Sequence, residues 1–352
     1  VKYGSVVSSI NTWLSTASSS FTGQPFSYAQ DGGTDGINEA GLGAHLLYLE
    51  ATEYGPAGSE ESVSYTRVVR YLLDTCASVS EAVEAMRAIR VANPHIQASP
   101  GSAPLSLGTH VAVEDASGDS AVFEIMSGKL QVYHGRNYTV LTNDPPLPEQ
   151  IANVRRYKPF TRRTVPPGDI ASASRFVRLA YFLNYVPKTM DSMVMTGEMR
   201  SIIGTAAAPL GAPADDEPEL GVYPTWWTSL TDYTARIYYW GWVMNPNFIW
   251  VDMNTLLVSG KLEEGSPTLQ LNPRNLSLVG DVLAAFLPLA NSVPPLETQL
   301  STTNPMTMLE MPLPQVSACF VLTIAGGAIL FFSGGFRAHR DGLPGPYSAR
   351  LL

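Results

Sequence analysis

The chain carries His110-Val-Ala-Val-Glu114 and Ala121-Val-Phe-Glu-Ile125, two segments whose apolar residues recur with period two. The residues between them, Asp115-Ala-Ser-Gly-Asp119, are typical of a tight turn. Together the three segments predict a β-hairpin. Because more strand-like segments follow, the hairpin is expected to belong to an antiparallel sheet.

Helices and strands come in blocks along the rest of the chain. Apolar residues recur at helical spacing after Ser64, and Ser78-Val-Ser-Glu81 fits a capping box that begins a helix over Ser80–Arg90. Further helices are predicted over Leu147–Tyr157 and Ser174–Tyr185, and further strands over Ala44–Leu49, Lys129–His134, Asn137–Thr142, within Trp226–Trp242 and over Phe248–Met253. This order of elements predicts an α+β architecture with antiparallel sheets.

Composition and charge exclude several classes of protein. The chain has 352 residues, 45% of them hydrophobic, which is enough apolar material for a large core. Its net charge of −9, without a clustered basic stripe, argues against nucleic-acid binding. The 16 Tyr, 12 Phe and 6 Trp exclude a disordered chain. Two cysteines, Cys76 and Cys319, are too few for a disulfide framework, and no Cys/His spacing resembles a zinc site.

The C-terminal part differs in composition from the rest. Residues 291–314 are rich in Pro and Thr and are expected to form a linker. Residues 315–336 carry no charge and are nearly all apolar; as a transmembrane helix they would span about 30 Å, the thickness of a bilayer core. Basic residues in the short tail 337–352 would place that tail in the cytoplasm and the main domain outside, either anchored to the membrane or periplasmic or secreted. A buried segment and a tail without a native role are the alternatives.

Generic catalytic and cofactor motifs do not occur in the sequence. It contains no G-x-S-x-G, no H-E-x-x-H and no Walker A loop, and the glycines between Gly36 and Gly43 lack the context of a dinucleotide-binding turn. His110 and His134 lie at strand positions, where a hydrogen-bonded structural role is expected. Cys76 lies in a helical segment and is expected to act as a small hydrophobe. No cofactor and no metal are expected.

Four segments carry a family resemblance when they are taken in order. They are Asp35-Gly-Ile-Asn-Glu-Ala-Gly-Leu42, the hairpin of residues 111–124, Leu141-Thr-Asn-Asp-Pro145 followed by Gln150-Ile-Ala-Asn-Val, and Ala173-Ser-Arg-Phe-Val-Arg178. In this order and at these spacings they resemble the choloylglycine hydrolase family, which includes bile salt hydrolases and penicillin V acylases. The stretch from Trp227 to Asp252 resembles the closing strands of the family, so the resemblance defines one domain over residues 1–290.

The resemblance implies both a fold and a chemistry. The fold is the N-terminal-nucleophile αββα sandwich, in which two antiparallel sheets lie between helix layers. Members of the family cleave linear amide C–N bonds through a thioester. Their nucleophile is the thiol of the mature first residue, a cysteine whose own α-amine acts as the base. The implied partner is a small-molecule acyl amide such as penicillin V, an N-acyl homoserine lactone or a conjugated bile acid.

Three residues of this chain match functional positions of the family. Asn143 matches the asparagine whose side-chain amide donates to the oxyanion. Tyr48 occupies the position whose backbone N–H is the second donor; bile salt hydrolases tend to have Asn there and penicillin acylases Tyr, so Tyr48 favours an acylase. Arg175 matches the arginine beside the nucleophile, where a positive charge favours the thiolate. Without the resemblance, Asn143 fits an Asx-turn, and Arg175 fits a helix N-terminal arginine paired with a surface acid.

The cysteine nucleophile of the family is not found at a matching position. The sequence begins at Val1, and Tyr3-Gly-Ser-Val-Val resembles a family segment that lies well downstream of the catalytic cysteine. Neither Ser5 nor Cys76 is N-terminal, so neither has its own α-amine as a base. The chain is therefore expected to be an N-terminally truncated amide hydrolase that is inactive as printed.

Two further expectations concern assembly and an alternative function. The alternative to a hydrolase is a non-catalytic small-molecule-binding protein of the same fold, tethered to a membrane by the C-terminal segment. A homo-oligomer is left open by the sequence. The chain is short between Asn143 and Arg175, where bile salt hydrolases carry a loop that helps to build tetramers, which argues against assembly through that loop.

Overall fold

The structure is a computed structural model. It describes residues 2–9, 32–56, 62–93, 96–97, 104–105, 107–187, 191–209, 212, 225–259, 269, 271–272, 274–286 and 328–330. Within these residues it shows a six-stranded sheet, a four-stranded sheet, three two-stranded pairs and helices on both sides of the sheets.

The elements are numbered in chain order. The strands are β1 (Ser5–Ser8), β2 (Asp35–Asn38), β3 (Leu42–Tyr48), β4 (Ser62–Ser64), β5 (Arg90–Ala92), β6 (Ile96–Gln97), β7 (Pro104–Leu105), β8 (Thr109–Asp115), β9 (Ser120–Met126), β10 (Lys129–His134), β11 (Val140–Thr142), β12 (Trp227–Asp232), β13 (Ile237–Trp242), β14 (Ile249–Asp252), β15 (Gly280–Asp281) and β16 (Ala328–Leu330). The α-helices are α1 (Val68–Thr75), α2 (Val79–Ala88), α3 (Leu147–Arg155), α4 (Ser172–Leu183), α5 (Ser192–Gly204) and α6 (Met253–Val258).

The larger sheet has the order β1-β2-β3-β8-β9-β10, and every neighbouring pair is antiparallel. The hairpin prediction is confirmed, because β8 and β9 pair with Val111 opposite Phe123 and Ala112 opposite Val122. Both faces of this hairpin are buried: Val111 and Phe123 belong to one apolar cluster, and Ala112 and Val122 to another. A sheet that is covered on both faces needs apolar residues at nearly every position, which is the pattern of these two strands.

Helices α1 and α2 cover one face of the larger sheet. Their apolar stripes, which include Val69, Leu73 and Val83, pack with Leu42 and other residues of β3, β8 and β9. The capping prediction is confirmed: the Ser78 hydroxyl oxygen accepts a hydrogen bond from the N–H of Glu81. The helix begins one residue earlier and ends two residues earlier than the sequence predicts, at Val79 and Ala88.

The second sheet lies against the other face of the larger sheet. It has the order β12-β13-β14-β15, in which only the β14–β15 pair is parallel. Tyr238 and Trp240 of β13 share an apolar cluster with Ile37 of β2, so the two sheets are stacked face to face. The predicted hairpin within Trp226–Trp242 and the predicted strand over Phe248–Met253 are confirmed as β12–β13 and β14.

A second group of helices completes the sandwich. The apolar side chains of α3, α4 and α5, among them Leu147, Phe176 and Ile202, pack with β11 and with Ala112 and Val122 of the larger sheet. Helices α3 and α4 lie within two residues of their predicted starts and ends, whereas α5 was not expected from the sequence. The α+β prediction is confirmed, and the layers follow the order helix, sheet, sheet, helix.

The C-terminal segment is described only in part. Residues 328–330 form β16, which pairs antiparallel with β11, Val140 being opposite Leu330. This conformation differs from the transmembrane helix expected over residues 315–336, whose other residues lie outside the described part, as do the linker 291–314 and the tail 337–352. Over the part of the chain that is described, no helix is both long and apolar enough to cross a bilayer.

Candidate active site

The loop between β11 and α3 holds Asn143. Proline residues follow at positions 145 and 146, and because proline lacks an N–H, the pairing of β11 ends there and α3 begins. Asn143 is buried, at 4% exposure. Its carbonyl oxygen accepts a hydrogen bond of 2.9 Å from Nε2 of Gln150, a residue on the first turns of α3. The helix that follows the loop therefore holds the backbone of the loop in place through this hydrogen bond.

Tyr48 is the last residue of β3, where that strand approaches the same loop. It lies opposite Thr109 in the sheet. Two residues further on, the N–H of Glu50 donates a hydrogen bond of 3.0 Å to Oδ1 of Asp144. A hydrogen bond thus joins the segment after the C-terminal end of β3 to Asp144, the residue that follows Asn143.

Arg175 lies in the first turn of α4 and is buried, at 6% exposure. Its Nε donates to the carbonyl oxygen of Ile170 at 3.1 Å. The start of α4 contacts the Asn143 loop through a hydrogen bond of 3.0 Å from Oγ1 of Thr142 to the carbonyl oxygen of Ser172. The burial excludes the alternative in which Arg175 is a surface residue paired with an exposed acid.

Asp144 is the point at which the three segments meet. Burial lowers the pKa of Arg175 to about 10, and the charge of Arg178 contributes in the same direction, whereas Asp144 opposes the shift. Arg175 therefore stays cationic at neutral pH. Burial raises the pKa of Asp144 above its usual value, against the Glu50 N–H and the charge of His110, which lower it. The structure thus brings the segments of Tyr48, Asn143 and Arg175 together around one carboxyl group.

A buried His–Glu pair on β8 and β9 contacts the start of α3, the helix that follows the Asn143 loop. Nδ1 of His110, on β8, is 3.2 Å from Oε1 of Glu124 on β9. The same Glu124 oxygen accepts a hydrogen bond of 2.8 Å from the N–H of Leu147, the first residue of α3. His110 therefore has the hydrogen-bonded role that the sequence indicates. Glu124 could have been recognised from the hairpin alternation, which places it on the same face as His110.

A second buried polar cluster was missed by the sequence analysis. His45 of β3 lies between two carboxylates: its Nδ1 is 2.8 Å from Oδ1 of Asp35, and its Nε2 contacts Glu114. Tyr233, in the turn of the second sheet, donates from its hydroxyl to Glu114, and Ser229 of β12 donates to Asp35. The available signal was the period-two pattern, which points these polar side chains to the face that meets the second sheet.

The charges of this cluster decide the protonation of His45. Burial alone lowers the pKa of a histidine, but Glu114 and Asp35 outweigh it, so the pKa of His45 is raised from 6.5 to about 10. The cluster thus holds an imidazolium between two carboxyl groups at neutral pH. It joins the two sheets.

Within the part of the chain that the structure describes, neither a metal site nor an activated thiol is found near these residues. In the described ranges, no three or more His, Cys, Asp or Glu side chains are arranged to hold a metal ion. Cys76 is buried in the cluster between α1, α2 and the larger sheet, and burial raises the pKa of its thiol. Such a thiol is a poor nucleophile at neutral pH.

The chemistry available at the site is the stabilisation of an anion. A buried asparagine amide, a strand-end N–H and a buried guanidinium are groups that bind a developing negative charge, and such groups are more effective in a water-poor environment than in water.

Comparisons with known proteins identify the family. The sequence profile described as "Linear amide C-N hydrolases, choloylglycine hydrolase family" matches residues 14–263. Penicillin V acylase of Pectobacterium atrosepticum is 29% identical over 240 residues, which are 63% of this chain and 62% of the relative. Bile salt hydrolase/transferase of Clostridium perfringens is 28% identical over 267 residues, 68% of this chain and 79% of the relative. The chain therefore spans less than two thirds of the length of the Pectobacterium acylase.

Solved structures give the same result at the level of the fold. Penicillin V acylase from Agrobacterium tumefaciens superimposes with a TM-score of 0.66 at 28% identity, over 82% of this chain and 81% of that one. A cysteine-to-alanine variant of conjugated bile acid hydrolase from Clostridium perfringens superimposes with a TM-score of 0.54 at 25% identity, over 64% of this chain and 73% of that one.

Proposed function

Because the chain belongs to the choloylglycine hydrolase family of linear amide C–N hydrolases, we propose that its site binds an acyl amide and stabilises the oxyanion formed when the amide is cleaved. The observation that carries the proposal is the meeting of three segments around Asp144. The Glu50 N–H reaches Asp144 from the end of β3, and Thr142 reaches the start of α4. These are the segments of Tyr48, Asn143 and Arg175.

Each of the three residues has a proposed role. The side-chain amide of Asn143 and the backbone N–H of Tyr48 donate to the oxyanion, and the guanidinium of Arg175 favours the thiolate form of the nucleophile. The low exposure of Asn143 and Arg175 supports these roles, since buried donors and charges act with little screening by water.

The proposed reaction is acyl transfer to a thiol followed by hydrolysis. The thiol loses its proton to the α-amine of its own residue, and the sulfur attacks the amide carbon. The resulting oxyanion collapses, the C–N bond breaks and the leaving amine takes up the proton. Water then hydrolyses the thioester to a carboxylic acid. This nucleophile is an N-terminal cysteine, which the residues 1–352 do not provide at a family position, so we propose that the 352-residue chain alone is inactive.

The proposed substrate class is an aryl-acyl amide of the penicillin V type. Tyr48 supports it, because tyrosine at this position resembles the acylases of the family more than the bile salt hydrolases. Conjugated bile acids and N-acyl homoserine lactones are the competing substrates, because they contain the same type of linear amide C–N bond.

The test compares the 352-residue chain with the full product of its gene, including any residues encoded before Val1. We expect the full product to release 6-aminopenicillanic acid from penicillin V faster than it releases glycine from glycocholate, and the 352-residue chain to release neither. Asn143→Ala in the full product should lower kcat about 10²- to 10³-fold, because one oxyanion donor is lost.

Asn153→Ala is the matched control. Asn153 is an asparagine of α3 whose amide makes one long hydrogen bond, of 3.4 Å, to the carbonyl oxygen of Ala173. The kcat of the Asn153→Ala variant should stay within about twofold of that of the unsubstituted full product. Equal losses in the two variants would contradict the role of Asn143. Turnover by the 352-residue chain itself would contradict the proposed inactivity, and ligand binding without turnover by the full product would favour the non-catalytic binding protein.

A further inference from the structure

Gln150 makes more hydrogen bonds to the candidate site than any other side chain described there. It lies on α3 with no exposed surface. Its Nε2 donates to the carbonyl oxygens of Thr142 at 2.8 Å and Asn143 at 2.9 Å, and also to that of Pro145. Its Oε1 accepts from the N–H of Thr142 at 3.3 Å and from its hydroxyl at 2.9 Å. One side chain thus binds both ends of the loop that carries Asn143.

The orientation of this amide follows from its partners. An amide group has two N–H donors, and the three carbonyl oxygens around Nε2 are acceptors only, so one of the two hydrogens is shared. The flipped orientation would place Oε1 against three carbonyl oxygens and Nε2 against the N–H of Thr142. That arrangement is repulsive at the three carbonyl oxygens and at the N–H of Thr142, so the hydrogen-bond network favours the orientation described above.

We infer that Gln150 is a positioning residue for the oxyanion donor: it holds the backbone of the Thr142–Pro145 loop so that the side-chain amide of Asn143 points at the reacting carbonyl. The inference rests on the proposed function of this site and adds a residue to it. Gln150 does not touch the substrate; it acts through Asn143. Its partners are backbone groups, so its effect is on the direction of the loop and not on the chemistry of the donor.

The same contacts couple the loop to the helix that carries Arg175. The hydroxyl of Thr142 lies within hydrogen-bonding distance of both Oε1 of Gln150 and the carbonyl oxygen of Ser172, at 2.9 and 3.0 Å. Both of these atoms are acceptors, so the single hydroxyl hydrogen is shared between them, and Thr142 links Gln150 to the start of α4. A change at Gln150 is expected to displace the asparagine amide and, to a smaller degree, the guanidinium.

The first readout is independent of any ligand. In the 352-residue chain with ¹⁵N-labelled asparagine, the side-chain amide signal of Asn143 is assigned by its loss in Asn143→Ala. Gln150→Met keeps the length of the side chain and removes every hydrogen bond. We expect the Asn143 signal to shift towards free-amide values or to broaden in this variant, and to keep its position in Asn153→Ala.

The second readout uses the product-like carboxylate phenoxyacetate, which can accept from the oxyanion donors, and the alcohol 2-phenoxyethanol, which has the same aryl ether without a carboxylate. By calorimetry, Gln150→Met should weaken phenoxyacetate binding by about tenfold and leave the binding of 2-phenoxyethanol within about twofold. A purely structural role would weaken both ligands equally or neither.

The outcomes separate this inference from the proposed function. If the full product of the gene neither binds phenoxyacetate nor cleaves penicillin V, but the Asn143 signal moves in Gln150→Met, the proposed function fails and the positioning of the Asn143 amide by Gln150 stands. If Gln150→Met folds and the Asn143 signal does not move, the positioning role is wrong, whatever the ligand affinities are.

If Gln150→Met does not fold, the variant Gln150→Glu is tested by the same two readouts. That variant has the same shape and, when protonated, offers a single O–H in place of two N–H donors, so it should show a smaller change in the same direction.

Discussion

Single buried side chains join separate backbone segments in this protein, and Asn38 is the clearest example. It is fully buried in β2. Its Nδ2 donates to the carbonyl oxygens of Leu73 at 2.8 Å and Cys76 at 2.7 Å, and its Oδ1 accepts from the N–H groups of Ala40 and Leu42. The side chain thus connects the β2–β3 turn with the end of α1 and uses nearly all of its hydrogen-bonding capacity.

Asn38→Ala should therefore be strongly destabilising. We expect the free energy of unfolding to fall by about 3 kcal/mol, because buried carbonyl and N–H groups lose their partner and a cavity is formed. Urea denaturation followed by circular dichroism measures the change. Asn153→Ala, which removes only the long bond to Ala173, should cost less than about 1 kcal/mol. Similar losses in the two variants would show that the Asn38 bonds are not the cause.

The candidate site residues illustrate what a sequence can reveal about one position. Asn143 and Arg175 were identified because they match family positions, and both are buried as a site residue in a sandwich interior would be. Gln150 begins the family-like segment Gln150-Ile-Ala-Asn-Val, and the sequence assigns it no role. The role of Gln150 depends on which backbone groups lie within hydrogen-bonding distance of its side chain. The neighbouring residues in the sequence do not specify those groups.

At the scale of elements, strong periodicity was predictive and weak periodicity was not. The β8–β9 hairpin and helix α2 were predicted because alternation and capping are local signals. Helix α5 was missed because its apolar residues do not form a clear stripe: Met193 and Val194 are exposed, and Ile202 is its one buried residue. It is held by tertiary contacts with α4, β12 and β16, which its own sequence pattern does not reveal.

Alanine substitutions at two glycines are expected to change the free energy of unfolding in opposite directions. Gly197 lies inside α5 with open space at its Cβ position, so Gly197→Ala should raise the free energy of unfolding by about 0.5–1 kcal/mol through helix propensity. A Cβ on Gly108 would lie 2.1 Å from the carbonyl oxygen of Leu49, so Gly108→Ala should lower it by about 1–3 kcal/mol by forcing β3 and β8 apart.

Thermal or urea unfolding of the two variants checks both signs. The Gly108→Ala variant should in addition disturb the end of β3, where Tyr48 lies, because Leu49 donates its N–H to the Gly108 carbonyl at 2.9 Å. Stabilisation by Gly108→Ala, or a loss on Gly197→Ala, would contradict the geometry of the respective element.

At the scale of the whole molecule, the cluster around His45 joins the two sheets. Asp35 and Glu114 project from the larger sheet, and the hydroxyl groups of Ser229, Tyr233 and Tyr238 meet them from the second sheet. Burial raises the pKa of both tyrosines well above 10, with further contributions from Glu114 for Tyr233 and from Asp35 for Tyr238. The tyrosines therefore stay neutral donors, and His45 is the positive charge of the cluster.

The raised pKa of His45 predicts how stability depends on pH. In the folded state the pKa is about 10 and in the unfolded state about 6.5, so the folded protein binds more protons between these values. The free energy of unfolding should therefore be highest, with respect to this group, below pH 6.5 and should fall as the pH rises towards 10. Urea midpoints measured at pH 6, 7, 8 and 9 report the slope.

A histidine comparison isolates this effect from other titrating groups. His45→Gln should be less stable than the parent at pH 7, because two buried carboxyl groups lose their counter-charge, and its stability should decline less between pH 6.5 and 9.5. Asn153→Ala, which removes no titratable group, should keep the slope of the parent. An unchanged slope in His45→Gln would show that His45 does not carry the charge inferred for it.

The sequence by itself determined the α+β class, the family and three candidate site residues, because periodicity, capping and motif order are properties of neighbouring positions. Only the tertiary structure decided which groups meet: Asp144 with Glu50, Gln150 with the loop before it, and His45 with Tyr233, which is 188 positions away. The physical reason is that local sequence determines which face of a strand or helix is buried. The partner found on that face depends on how the layers stack, and the stacking minimises the free energy of the whole chain.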